Sequence, residues 1–290
     1  MPLLEHCPII DTEEFGKILL LSDTHIGYEV ELILKGLRVP RQTRRLLEHY
    51  INIAMRENVN SIAILGDIKH EIPIALETYK DVEYFLREIS NYFEYIILTQ
   101  GNHDGGIDKI VDKIGRKNIL LYDSRGVCIT MKDGKRALLL HGNAKPKIED
   151  LINSDFLIMG HTHPAITIRD IIGYTVREPV IIRVELDKRD IVAKMYRREI
   201  KTSNITIEDS KIVLIILPCA NMLITGTDIT RTLLQKHPSS KTILTYFELW
   251  NKDDKIEVYL QDFTYLGTLR ELIDLEKIIE TKERVDWNLL

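Results

Sequence analysis

Five apolar runs in this chain each end in residues of the kind that bind metals, and that repetition restricts the fold more than any other feature. Lys17 to Leu21 runs into Asp23-Thr24-His25, Ser61 to Leu65 into Gly66-Asp67, and Tyr95 to Thr99 into Gly101-Asn102-His103-Asp104. Arg136 to Leu140 runs into His141-Gly142, and Asp155 to Met159 into Gly160-His161-Thr162-His163. Each run has the length and apolar continuity of a buried strand. In open α/β sheets, ligands bind beyond the carboxyl ends of the strands, where loops gather side chains from distant parts of the sequence. The polar residues after these runs are therefore expected to share one site.

The donor types narrow what that site holds. Asp23, Asp67, Asn102, His25, His141, His161 and His163 form a mixed nitrogen and oxygen set with no cysteine. Imidazole argues against magnesium or calcium alone, and the lack of thiolate argues against a structural zinc site, which leaves Mn²⁺, Fe²⁺ or Zn²⁺. Seven protein ligands are too many for one catalytic ion and suit a pair about 3.5 to 4 Å apart. A single histidine at a strand end is ordinarily a hydrogen-bonded structural residue. That explanation fails when it is applied to the whole ordered set.

The order D-x-H, G-D, G-N-H-D, H, G-H-x-H resembles the calcineurin-like metallophosphoesterase superfamily, from about Lys17 to Pro164. The wider phrasing at Leu21 to Glu29, Gly66 to Glu71 and Gly101 to Gly106 is similar to archaeal and bacterial predicted phosphoesterases related to the exonuclease subunits of double-strand-break repair complexes. The resemblance implies that one ion is held by Asp23, His25, Asp67 and His163, and the other by Asp67, Asn102, His141 and His161. Asp67 is the implied bridge, since a carboxylate has two oxygens to share, whereas Asn102 adds a carbonyl oxygen without charge. His103 is left for proton chemistry as a catalytic residue, with Asp104 expected to orient or charge-stabilise it. The implied reaction is in-line attack on phosphorus by a metal-bridging hydroxide, formed because bound metal lowers the pKa of water towards about 7.

The resemblance also implies an αββα sandwich of two mixed β-sheets flanked by helices. The sequence is compatible with it. Arg41 to Met55 and Glu77 to Phe93 carry apolar residues at helical spacing, as outer helices need. After Pro164, the β-rich segments Val180 to Leu186, Lys211 to Leu217, Ile243 to Leu249 and Lys255 to Gln261 are expected to build the second sheet. Residues 1–268 are read as the metallophosphoesterase domain, and 269–290 as a C-terminal helical extension, helical from Leu269 to about Lys282. No linker rich in Gly, Pro or Ser interrupts the 290 residues, a length that can bury a large core.

A net charge of −5 gives no general attraction to nucleic acid. Two local clusters are more basic. Lys35, Arg38, Arg41, Arg44 and Arg45 follow the first motif closely enough to line the mouth of the site, where they either meet a phosphate backbone or decorate a helix. Arg169 to Lys201 holds nine basic residues against six acidic, read first as a solvated hairpin. His70 is either structural or faces substrate, while His6, His49 and His237 are read as surface or packing residues.

Three scattered cysteines, Cys7, Cys128 and Cys219, form no disulfide framework. There is no apolar stretch of about 20 residues and no charged leader, so a cytoplasmic enzyme without membrane contact is expected. The leading expectation is a Mn²⁺-dependent phosphodiesterase acting on nucleic acid or nucleotides, with a DNA-repair protein as a candidate partner. A phosphomonoesterase for a small metabolite or phosphoprotein is the alternative, and a nucleic-acid binding or assembly subunit is a third.

Overall fold

The computed structural model describes residues 7–70, 75–169, 174–202, 210–232 and 242–277. His6, Glu71, His237 and the extension beyond residue 277 lie outside them, as does the side chain of Lys201. The first sheet holds β1 (Ile9–Thr12), β2 (Gly16–Leu21), β3 (Ser61–Leu65), β4 (Tyr95–Thr99) and β5 (Ile119–Tyr122), side by side in chain order. β1 runs antiparallel to β2, and the remaining neighbours are parallel. The second sheet is built from β6 (Val127–Thr130), β7 (Arg136–Leu140), β8 (Phe156–Met159), β9 (Pro164–Arg169), β10 (Thr175–Asp187), β11 (Lys211–Ile216), β12 (Thr227–Asp228), β13 (Glu257–Leu260) and β14 (Tyr265–Thr268). Its spatial order is β12-β9-β10-β11-β8-β7-β6, with β13 pairing β10 and β14 pairing β13.

Alternation along the strands produces three apolar layers. In β2, Leu19 and Leu21 face the outer helices, while Ile18 and Leu20 join Ala63, Leu65, Ile97, Ala137, Leu139 and Ile158 between the sheets. In β7 and β8 the neighbours Leu138, Leu140, Leu157 and Met159 face the opposite outer layer. The first sheet is covered by α2 (Thr43–Glu57), α3 (Leu76–Ile89) and α4 (Ile107–Ile114), while α1 (Tyr28–Leu34) leads out of the first motif loop. In α3, Val82, Phe85, Leu86 and Ile89 form one buried stripe, each large side chain contributing about 1.5–3 kcal/mol by leaving water. α2 stops where Asn58 takes the left-handed conformation at φ 51°, a common helix ending. The other face is covered by α5 (Ile148–Ile152), α6 (Lys188–Met195), α7 (Arg197–Thr202) and α8 (Ile229–Thr232). The two mixed sheets flanked by helices are the architecture expected from the sequence. No helix among the described residues is long and apolar enough to cross a membrane.

Three expectations need correction. The second sheet begins at Val127, well before Pro164, so the His141 and His161 loops leave a different sheet from the other three. Ile243 to Leu249 is not a strand: it forms short 3-10 turns at Ile243–Tyr246 and Leu249–Asn251. The buried residues Ile243, Leu244 and Phe247 recur with helical spacing, and the Thr242 hydroxyl caps the first turn by accepting from Leu244 N. Arg169 to Lys201 is a hairpin only in its first half. The Asp187 carboxylate caps α6 by accepting from Asp190 N at 3.0 Å, and Ile191, Val192 and Met195 then turn inward. Helical residues 269–277 begin with Leu269 buried in the outer layer, so the start of the extension packs on the second sheet.

Candidate metal centre

The loops after β2, β3 and β4 meet those after β7 and β8 at the carboxyl edge of the sandwich. Backbone hydrogen bonds join the first two loops. Asp23 N donates to Gly66 O at 3.1 Å, His25 N to Asp67 O at 2.8 Å and Ile26 N to Ile68 O at 2.9 Å. The Thr24 hydroxyl donates to Ile68 O at 3.0 Å, which gives the middle residue of the first motif a structural task. The loop after β11 holds the other side of this segment. Ala220 N donates to Ser22 O at 2.8 Å, Cys219 Sγ to Asp23 O at 2.9 Å, and Asn221 Nδ2 to the carbonyls of Thr24 and His25 at 2.9 and 3.2 Å.

Backbone conformation at the site is unusual. Asp23, His25, Asp67, His161 and His163 all have positive φ, between 40° and 72°, and they make up five of the eight non-glycine residues with that sign among the described residues. Such residues cost about 1–3 kcal/mol each and persist only where surrounding structure fixes them. Glycines allow the loops to close. A Cβ at Gly101 would lie 2.2 Å from Asp67 Oδ1, and one at Gly160 would lie 2.3 Å from Asp23 Oδ2. Both motif glycines are therefore required by the close approach of a candidate ligand.

The seven candidate ligands come together. Asp23, His25 and His163 form one group of converging donor atoms, and Asp67, His141 and His161 form another. Asp67 Oδ2 lies 3.3 Å from His141 Nε2 and 3.7 Å from His25 Nε2, between the two groups. Asn102 Oδ1 lies 3.1 Å from His141 Nε2. Asp23, His25, Asp67 and His141 form a buried floor, whereas Asn102 is exposed and His103, His161 and His163 are half-buried.

His141 shows that this donor set fits a cation. Its Nδ1 is 3.0 Å from Leu65 O and donates to it, so Nε2 presents a lone pair in the neutral ring. That lone pair faces Asp67 Oδ2 at 3.3 Å, Asn102 Oδ1 at 3.1 Å and His161 Nδ1 at 2.9 Å. Electron-rich atoms packed this closely require a proton or a metal ion among them. Burial would depress the His141 pKa, but the hydrogen bond to Asp67 and the charges of Asp23 and Asp67 outweigh it and raise it to about 9. A proton there takes the place that a metal ion would fill. Burial instead holds His25 down at about 3 and, with the charge of His141, His161 at about 4. Burial works against the ionised form of Asp23, yet His163, His141 and His25 keep its pKa below the ordinary carboxylate range. Asp23 Oδ1 and His161 Nε2 are buried without a hydrogen-bond partner, although His163 Nε2 lies 3.0 Å from the former.

His103 sits at the open side. Its Nδ1 donates to the carbonyl of His70 at 2.5 Å, which leaves Nε2 facing the site 4.0 Å from Asp67 Oδ2. Asp104 does not orient it. The buried Asp104 carboxylate accepts instead from Ile68 N at 2.9 Å, Lys69 N at 3.3 Å and Gly101 N at 2.8 Å, tying the second motif loop to the third. Burial pushes its pKa up to about 6. The direction of Asp104 is set by its place one turn past Gly101, where the nearest donors are backbone amides.

Several residues of the basic clusters are paired with carboxylates. Lys35 pairs with Glu31, Arg41 with Asp81 at 2.8 Å, Arg44 with Glu48 at 2.8 Å, Arg183 with Glu257 at 2.6 Å, and Lys194 with Asp190 and Glu248 at 2.7 Å. Arg38 and Arg45 are exposed and pair with no carboxylate among the described residues. The Cys219 to Asn221 clamp carries no metal-ligand motif. It follows the apolar run of β11, so the rule that located the other loops, applied to a sixth strand, finds it.

A family comparison matches residues 17–179 to the calcineurin-like phosphoesterase superfamily domain. Among solved structures, the chain is similar to the Pseudomonas putida nuclease MPE, at 17% identity over 88% of this chain and 96% of that one, with a TM-score of 0.47. It is also similar to an archaeal phosphodiesterase, at 23% identity over 53% of this chain and 78% of that one, with a TM-score of 0.33. No curated protein matches.

Proposed function

The chain belongs to the calcineurin-like phosphoesterase superfamily, and from that premise we propose that it is a two-metal phosphodiesterase acting on nucleic acid or nucleotides. The observation that carries this reading is the inward-facing Nε2 of His141 among Asp67 Oδ2, Asn102 Oδ1 and His161 Nδ1, beside a second donor group made by Asp23, His25 and His163. Asp23, His25, Asp67 and His163 would hold one ion, and Asp67, Asn102, His141 and His161 the other. Bound there, two divalent ions would offset charge on the phosphoryl oxygens and acidify water enough for it to attack near neutral pH. Mn²⁺ suits the imidazole and carboxylate donors, with Fe²⁺ and Zn²⁺ as alternatives.

His103 would supply the proton that the leaving alkoxide needs. Its Nδ1–H is committed to the His70 carbonyl, so Nε2 alone is directed at the reacting group, and the half-exposed ring reaches substrate from the open side. Asp104 acts at one remove, by fixing the loop that carries His103. Preference for a diester is supported by the likeness of the three motif phrases to predicted phosphoesterases related to the exonuclease subunits of double-strand-break repair complexes, and by exposed Arg38 and Arg45 on the segment that follows the first motif. A DNA-repair partner belongs to the same reading. Residues 1–268 form the catalytic unit and 269–290 the extension, and the free cysteines Cys7, Cys128 and Cys219 suit a reducing, cytoplasmic setting.

The test is hydrolysis of a phosphodiester and a phosphomonoester of the same chromogenic phenol by protein stripped of metal and then supplied with Mn²⁺. Metal-dependent turnover that favours the diester is expected. Preference for the monoester would transfer the site to a phosphatase, and retention of DNA on gel shifts without turnover of any ester would indicate a binding subunit.

A further inference from the structure

One line of hydrogen bonds leaves the metal centre through a residue that serves it. His25 turns Nε2 inward, towards His163 Nε2 at 3.3 Å and Asp67 Oδ2 at 3.7 Å. Its other nitrogen, Nδ1, lies 3.3 Å from Nδ1 of His70. The far nitrogen of His70, Nε2, lies 2.5 Å from Glu31 Oε2, and Glu31 Oε1 is paired with Lys35 one helical turn along α1. The segment is braced at both ends, because Tyr28 N donates to His25 O at 3.1 Å and the Tyr28 ring packs edge-on against His70 with centroids 4.8 Å apart.

A neutral imidazole has one proton, so each contact in this line determines the next. The Glu31 carboxylate accepts only, which puts the proton of His70 on Nε2 and leaves its Nδ1 bare. The bare Nδ1 accepts, which puts the proton of His25 on Nδ1 and leaves the Nε2 lone pair facing the metal centre. We propose that Glu31 and His70 are positioning residues that lock His25 in its Nδ1–H tautomer, so that its Nε2 lone pair is held ready for the ion it shares with Asp23 and His163. A carboxylate behind a ligating histidine fixes ring orientation and raises ligand basicity, and here a second imidazole carries that influence from the surface of α1. His70 serves the site twice: its side chain supports His25, while its carbonyl orients His103.

The inference rests on the reading that the centre holds divalent ions, and the experiment separates the two. Mn²⁺ binding to metal-stripped protein is followed by the electron paramagnetic resonance of free Mn²⁺, for the wild type and for Glu31→Gln, Glu31→Ala and His70→Phe. Glu31→Gln keeps an acceptor oxygen and removes the charge, Glu31→Ala removes both, and His70→Phe breaks the line but keeps the carbonyl for His103. The affinity for one of two ions is expected to fall about 10 to 100-fold in His70→Phe and Glu31→Ala, and less in Glu31→Gln. In Zn²⁺-loaded wild type, the Nδ1–H of His25 is expected as a slowly exchanging NMR signal that is lost in His70→Phe and Glu31→Ala. A wild type that binds no Mn²⁺ overturns the reading of the centre. A wild type that binds two ions, with variants that match it in affinity and in that signal, overturns the line through Glu31 and His70 alone. An unchanged affinity in Glu31→Ala together with the same signal also counts against it, even if His70→Phe does not fold.

Discussion

At the scale of single residues, His103 and His141 carry opposite duties. His103 is held by one nitrogen on the His70 carbonyl and is assigned to neither proposed ion, although its ring also converges with His25 and His70, so His103→Ala is expected to keep its metal content and lose about 100 to 10,000-fold in turnover. Metal analysis alongside initial rates checks this, and full activity in the variant removes the role assigned here. His141 turns Nε2 to the place where the proposed ions would sit. In the metal-free protein its pKa stands at about 9, above the ordinary 6.5. Its contribution to stability is therefore fully present below about pH 6.5 and lost as pH rises through about 9. A metal ion bound as proposed would displace the same proton, so Mn²⁺ uptake at neutral pH is expected to release protons, with apparent affinity rising towards pH 9. Calorimetric titration in buffers of different ionisation enthalpy measures the release, and zero proton exchange contradicts it. The convergence of the seven candidate donors and His103 was legible in the sequence because ligand chemistry restricts residue type and order. Their left-handed backbone and the service of Asp104 to amides were not, because neither leaves a distinctive residue type: aspartate and histidine tolerate such positions without requiring them.

At the scale of elements, the site depends on loops that are bonded to one another rather than to their own strands. The clamp after β11 gives the plainest case, since Asn221 satisfies two carbonyls of the first motif from almost two hundred residues away. Asn221→Ala leaves both buried carbonyls without that donor. It is expected to cost about 1–3 kcal/mol of stability and to weaken metal binding, as read by denaturant melts with and without Mn²⁺. An unchanged midpoint would show that the clamp is passive. The strands themselves were easy to read, and β3, β4 and β7 fall at the expected boundaries, because an apolar run buried on both faces has few alternatives. Assignment of those strands to sheets was not readable. Run composition is the same in both sheets, and only the long-range pairing of β7, β8 and β11 decides where the second one begins. Apolar and aromatic content misled at Ile243, where a segment read as β-rich buries its side chains at a short helical spacing.

At the scale of the whole molecule, the sandwich brings two sheets to one edge and so lets a buried floor of Asp23, His25, Asp67 and His141 meet an open rim. Several buried donors with converging lone pairs and positive-φ backbones oppose folding unless cations join them. Saturation with Mn²⁺ at about 100 times its dissociation constant is therefore expected to stabilise the wild type by about 2.7 kcal/mol per ion site, and to leave Asp67→Asn, which lacks the shared charge, near its metal-free stability. Thermal melts across a metal titration test this, and equal stabilisation of the variant would contradict the ligand assignment. The overall αββα plan was legible because the motif order is tied to it, while the position of each loop in space came only from the structure. The most direct measurement is anomalous diffraction from crystals soaked in Mn²⁺. Two peaks about 3.5 to 4 Å apart, one on either side of the Asp67 carboxylate, are expected; a single peak, or peaks away from Asp67, would contradict a two-metal centre.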